Sequence, residues 1–179
     1  MSTQRVPSAV FEPALQARIE ELWGKPVNLY RALGNHPALV AAWTEFANAI
    51  RHDSRTPRAL RELMILRVGQ MTRSEYEWAV HLRMARKAGV REAQLETLGG
   101  WRDSAEFDAK ECAALALAEA VTDCRVSDAV HAEVKKHFDD AQFIELSLTA
   151  SFYVMVVRMI DALRVELDED VRDYSPKLP

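Results

Sequence analysis

Apolar positions recur at helical spacing along almost the whole chain, and no stretch alternates with the period of two that a half-buried strand requires. Pro13 opens a first helix through Leu15, Ile19 and Leu22 that stops at Gly24, and a short piece from Val27 to Leu33 ends at Gly34-Asn35. Pro37 opens the next, with Leu39, Val40, Trp43, Phe46, Ala47 and Ile50 on one stripe, before a loop at His52 to Arg55. Thr56 as N-cap and Pro57 at the first helical position start a helix to about Met71. Its Leu60, Leu63, Met64, Ile65, Leu66 and Val68 cover most of its circumference, so it is expected at the centre. Ser74 begins the following helix and Gly89 ends it. A small helix from Arg91 to Leu98 precedes a turn at Gly99-Gly100-Trp101. Phe107 to Cys124 and Ser127 to His137 are two more helices. Asp139 caps the last, with Gln142 at N3, running to about Leu167 on an apolar band of Phe143, Leu146, Leu148, Phe152, Val156, Ile160 and Leu163. The pattern predicts an all-α, single-domain bundle of about eight or nine helices. Residues 1–10 and 168–179 read as polar arms, the second loose or laid along a neighbour.

One helix breaks its own pattern. With each residue advancing about 100° and Trp78 set at zero, Leu82, Ala85, Ala88 and Met84 define a core-facing arc from about 240° to 40°. Ser74, Glu77 and His81 fall inside that arc, near 320°, 260° and 300°. Arg86, Arg83 and Lys87 lie on the opposite side, towards water. Glu77 and His81 are four residues apart and can touch. Glu62, amid apolar neighbours on the preceding helix, comes near His81 if the two helices pack as an antiparallel hairpin over residues 71–73.

A carboxylate and an imidazole placed in an apolar face must pair, because isolated burial of charge is costly. Burial raises a carboxylate's pKa and lowers a histidine's, while an ion pair does the reverse, so such a cluster can hold an acid or base ready for use. Each residue also has a plainer role open to it. Ser74-x-x-Glu77 is a capping box, Glu62 can pair with Arg58 four residues earlier, and an inward histidine can be a satisfied core residue. Trp43, Trp78, Phe152 and Tyr153 read as core or pocket wall, and His36, His52, His131 and His137 as surface or cap residues. Glu77-x3-His81 has metal-ligand spacing without a third ligand, so no metal is expected.

Composition narrows the class. In 179 residues, 49% apolar and 28% charged, there is enough chain for one sizeable core. A net charge of −4 argues against a nucleic-acid surface. No apolar run approaches the roughly 20 residues of a membrane span, and the first residues lack the apolar segment of a secretory signal. Cys112 and Cys124 form no disulfide framework, so a cytoplasmic setting is the expectation.

From Arg58 to Leu98 the chain resembles the carboxymuconolactone decarboxylase-like family, which includes alkylhydroperoxidase D. The peroxidase branch has a glutamate, Cys-x-x-Cys twelve residues on, and a histidine four residues after the second cysteine. Here those positions are Glu62, Ser74, Glu77 and His81, so the outer two agree and both thiols are missing. The decarboxylase branch has a Glu-Glu-Phe-x-x-His stretch, which Glu77-Trp78 and His81 resemble. The resemblance implies an alkylhydroperoxidase D-like fold over the whole chain, a core at about residues 37–125, and a trimer or hexamer of identical subunits. It also implies a small-molecule substrate and no cofactor.

Without the thiolate pair that peroxide chemistry needs, what remains is acid/base chemistry on a small organic acid, lactone or carbonyl compound. His81 moves the proton, Glu77 shares or receives it, and Glu62 orients the imidazole. Ser74, Trp78 and Tyr153 are expected to contact substrate. An antioxidant protein of peroxiredoxin type and a non-catalytic oligomeric binding protein are the alternatives.

Overall fold

The computed structural model describes residues 3–25 and 27–174. Among them are nine α-helices and no strand: α1 Pro13–Trp23, α2 Asn28–Leu33, α3 Pro37–Asn48, α4 Arg58–Met71, α5 Glu75–Ala88, α6 Glu92–Thr97, α7 Ala109–Thr122, α8 Asp128–Lys135 and α9 Asp140–Leu163. A π-helical turn, Ala49–Asp53, continues α3, and 3-10 turns occupy Leu98–Asp103 and Glu169–Tyr174. The predicted Gly99-Gly100-Trp101 turn lies within the first of these, where Gly100 leaves helical geometry at φ −113° and ψ 32° and kinks the chain.

The expected central helix is α4, which packs against α5, α7 and α9. It serves two cores at once. Met64, Ile65 and Val68 enter one with residues of α7 and α9, including Leu117, Leu146 and Tyr153. Leu63 and Leu66 enter another with Trp78, Leu82, Leu98, Trp101 and Leu115. A third cluster joins Phe11, Ile19, Tyr30 and Val40. The start of α4 differs from expectation: Pro57, extended at φ −56° and ψ 138°, takes the N-cap place. Thr56 is buried instead and receives Arg61 on its hydroxyl at 3.2 Å and on its carbonyl.

The α4–α5 connection sets the site. Thr72 ends α4, Arg73 adopts a left-handed φ of 54°, and Ser74 N–H donates to the Gly69 carbonyl at 2.9 Å. The chain reverses within three residues, so α5 runs back along α4. At Gly69 the helices are close, since a Cβ there would lie 3.6 Å from Glu77 Cβ.

Both arms are tied down where they are described; residues 1–2 and 175–179 lie outside the described residues. Arg5 N–H and Ala9 N–H donate to the Leu163 and Arg31 carbonyls, each at 2.9 Å. A Cβ on Gly34 would sit 2.6 Å from the buried Phe11 ring, so the arm crosses α2 where only glycine leaves room. The C-terminal stretch is not loose. Asp168 is buried and accepts from Tyr76 Oη at 2.7 Å and Asn28 N–H at 2.9 Å, and Val171 is 1% exposed. The last helix stops at Leu163, short of the expected Leu167, because Arg164 turns left-handed at φ 50°. Contrary to expectation, α9 is long and apolar enough to cross a membrane by length and composition, but half of its apolar window is buried in the protein.

Candidate functional site

The α4–α5 reversal brings Glu62 onto His81. Glu62 Oε2 lies 2.7 Å from His81 Nδ1, and Arg58 holds the other oxygen, Oε1. Both roles open to Glu62 are thus filled, one by each oxygen. On the far side of the imidazole, Glu77 Oε1 stands 2.9 Å from Nε2. That contact is close, but Oε1 makes no aligned hydrogen bond. The result is a carboxylate–imidazole–carboxylate row in which all three side chains are buried. The Tyr153 ring meets the imidazole edge-on at 4.8 Å.

Electrostatics fix the protonation. Burial alone would lower the His81 pKa, but Glu62 and Glu77 outweigh it and raise it to about 9. Burial pushes the Glu62 carboxyl up, and His81 and Arg58 together pull it below its usual range. The raised pKa favours the imidazolium form of His81, paired with the Glu62 carboxylate. The Tyr153 hydroxyl is pushed up, first by burial and then by Glu62 and Glu77, so it stays a neutral phenol.

Glu77, His81 and Tyr153 line a cavity of about 320 Å³. Its apolar walls include Leu29, Tyr30, Trp43, Phe152 and Val156, with Trp43 and Phe152 packed at 5.0 Å between ring centres. Lys25, Arg83, Lys87, Asp168 and Asp170 stand around it as well. The C-terminal turn is held there by Asp170, which receives Arg83 at 2.8 Å and Lys25 at 3.0 Å.

Three predicted residues lie outside that lining. Glu62 is behind His81, fully buried, where it can act only through the imidazole. Ser74 is the N-cap of α5 and accepts Glu77 N–H at 3.3 Å, while the Glu77 side chain turns to His81 instead of closing the capping box. Trp78 faces the second core with Leu63 and Leu82, its indole N–H buried without a partner. The buried arc of α5 is in fact split between a cavity side with Glu77 and His81 and a dry side around Trp78, and the exposed Arg83 and Lys87 also border the cavity.

Arg51 and His52 also line the cavity. Arg51 escaped the sequence reading, which ended the helix at Ile50, and His52, read as a surface or cap residue, is exposed at the cavity edge. Arg51 follows Trp43 and Ala47 at helical spacing, an arginine on an apolar stripe, and that was the available signal. His36, read as a surface or cap residue, caps α3 through Nδ1. Cys112 is half-buried and Cys124 exposed; both are free and neither lines the cavity. Among the described residues no group of three or more His, Cys, Asp or Glu is arranged to hold a metal ion.

The sequence model of the carboxymuconolactone decarboxylase family matches residues 37–120. The uncharacterized protein YdfG of Bacillus subtilis (strain 168) is 34% identical over 94 residues, which are 51% of this chain and 64% of that protein. The chain thus matches under two thirds of the length of that curated relative. Among solved structures, the debrominase Bmp8, crystallised with 2,3,4-tribromopyrrole, superposes with a TM-score of 0.83 at 16% identity, covering 100% of this chain and 99% of that one. A peroxidase-related protein of Ralstonia eutropha JMP134 with an alkylhydroperoxidase AhpD core gives 0.82 at 16% identity, over 96% and 95% of the two chains. An uncharacterized peroxidase-related protein of Silicibacter sp. TM1040 gives 0.79 at 18%, over the full length of both. These likenesses establish an alkylhydroperoxidase D-like fold.

Proposed function

We propose, from the match of residues 37–120 to the carboxymuconolactone decarboxylase family, a cofactor-independent acid/base enzyme acting on a small organic acid, lactone or carbonyl compound. One observation carries the reading: a buried imidazolium clamped between two carboxylates, of which only Glu77 shares the cavity with it. Glu77 takes a proton from carbon. His81 gives its Nε2 proton where negative charge develops, and the proton on Glu77 then crosses the 2.9 Å contact to restore the imidazolium. The cycle is a net proton shift, an isomerisation. In the decarboxylating variant, carbon dioxide leaves with its bond pair on the substrate and His81 protonates the carbanion. Glu62 is a positioning residue that keeps His81 charged and oriented.

The test is deuterium uptake into carbon acids, followed by proton NMR in heavy water, with acetoacetate, levulinate and α-angelica lactone as probes. Catalysed exchange that falls at least about 10²-fold in both His81→Ala and Glu77→Gln is the expected result. No exchange above buffer with any probe contradicts it. The antioxidant alternative has a fold shared with peroxidase-related proteins behind it. Against it, Ser and Glu occupy the two cysteine positions, and burial, Asp108 and Glu111 push the Cys112 thiol up, away from the reactive thiolate. Peroxide turnover lost in a Cys112→Ser, Cys124→Ser double variant would favour it.

Self-association, expected from the resemblance, is part of the proposal. A groove of about 420 Å³ between α3 and α9 is lined by Leu33, Leu39, Phe46, Met155 and Met159, and Trp43 and Phe152 are shared with the cavity. Leu39, Phe46 and Met155 are exposed, as are Ile144 and Leu148 further along α9. We assign this apolar strip to contacts between copies of the chain.

A further inference from the structure

We propose that the Tyr153 hydroxyl is the donor that holds the substrate's carbonyl oxygen, so that the cavity takes a small neutral lactone or ketone with a proton on the carbon beside the carbonyl. The proposal rests on the acid/base reading and selects among its three substrate classes.

The hydroxyl has no hydrogen-bond partner. Tyr153 is 5% exposed and lines the cavity, yet its oxygen makes no hydrogen bond among the described residues. A buried phenol usually finds a partner, as Tyr76 does in Asp168 at 2.7 Å. Nor is the oxygen sealed in like Trp78 Nε1: it opens on the space that Glu77 and His81 share. Its position is also fixed. A phenol oxygen lies in the plane of its ring, and this ring stands edge-on to His81 at 4.8 Å and to Phe152 at 5.4 Å between ring centres. A donor held this way needs no reorganisation when charge develops, and the apolar walls at Leu29, Trp43 and Val156 strengthen its hydrogen bond. Base, acid and donor thus share about 320 Å³, near the small end of ligand pockets, about 300–1,000 Å³.

Charge selects the neutral classes. Burial, then Glu62 and Glu77, push the Tyr153 pKa up, and Arg51 and Arg58 oppose this with smaller effect. The phenol keeps its proton, and the carboxylates that hold it there also repel a substrate carboxylate placed on the same oxygen. A neutral carbonyl meets no such repulsion. Once Glu77 has taken the carbon proton its own charge is gone, so the enolate forms beside a neutral acid with Tyr153 on its oxygen. With α-angelica lactone, Glu77 takes a proton from the carbon beside the carbonyl and the bond pair stays on the substrate as a dienolate. His81 returns a proton at the far end of the dienolate, and Tyr153 keeps its own.

The experiment uses the full chain and α-angelica lactone labelled with carbon-13 at its carbonyl. On binding to wild type the carbonyl resonance should move downfield, and in Tyr153→Phe it should return towards the free value. Levulinate, the charged open-chain counterpart, should bind at least about tenfold more weakly than the lactone. Isomerisation of the lactone, followed by proton NMR, should fall by about 10²–10³-fold in kcat in Tyr153→Phe with little change in KM, the cost of one lost oxyanion donor. That variant keeps both ring contacts and loses only an unpaired hydroxyl, so its Tm should match wild type. No lactone binding, an unshifted carbonyl, a shift that survives in Tyr153→Phe, tighter binding of levulinate, or a Tm well below wild type in Tyr153→Phe overturns the proposal. The two claims separate. Isomerisation that Tyr153→Phe leaves intact keeps the acid/base site and removes the donor, whereas a carbonyl shift lost in Tyr153→Phe without any isomerisation does the opposite.

Discussion

Glu62 reaches His81 from the neighbouring helix at 2.7 Å, across nineteen residues of sequence, and with Glu77 makes the imidazole a buried cation. The link depends on the left-handed Arg73 turn that folds α5 back onto α4.

That cation has a stability signature. His81 has a folded pKa of about 9 against an ordinary 6.5. A raised pKa means the folded state holds the proton more tightly. The stabilisation is full below pH 6.5 and disappears as pH rises through about 9. The groups on the ring are Glu62 from α4, whose other oxygen holds Arg58, Glu77 from α5 and Tyr153 from α9, and of these Tyr153 stays a phenol over this range. Thermal unfolding should show a steeper fall in Tm between pH 6.5 and pH 9 for wild type than for His81→Gln.

Positioning and catalysis separate kinetically. Glu62→Gln should lower kcat by about tenfold to a hundredfold with little change in KM, and move the basic limb of the pH–rate profile down. Trp78→Phe should change neither, because the ring faces the dry core. Steady-state profiles of both variants, on whichever probe exchanges, check this.

The C-terminal turn should come off in two grades. Asp170→Asn removes pairs to Lys25 and Arg83 that are all more than a third exposed, so it should cost about 0–1 kcal/mol. Tyr76→Phe leaves the buried Asp168 carboxylate short of a donor and should cost about 1–3 kcal/mol. Urea unfolding of the two variants should give that order.

The apolar strip predicts size. Phe46→Asp with Met155→Asp should shift the particle to a smaller species in sedimentation, with helicity kept. An unchanged mass would place the subunit contact elsewhere.

Much of this was legible in the sequence, for identifiable reasons. Nine helices followed from period, caps and breakers, and the Glu77–His81 pair followed from spacing within one helix. Glu62 could be reached because a three-residue link admits few packings. Arg51 was missed because the helix was ended at Ile50, whereas a π-helical turn carries it on to Asp53. Trp78 was read as core or pocket wall and as a substrate contact, and it lies in the core, a choice a helical angle cannot make because α5 has two buried sides. The tail looked loose because Asp168 finds Tyr76 and Asn28 at separations of 92 and 140 residues, beyond any local pattern.

The central claim is the charged imidazole between two carboxylates, and it can be measured without a substrate. Titrating the His81 ring by nitrogen-15 NMR should give a pKa of about 9 in wild type, falling in Glu62→Gln and in Glu77→Gln. A His81 that titrates near 6.5, or whose pKa does not respond to either substitution, would contradict the account.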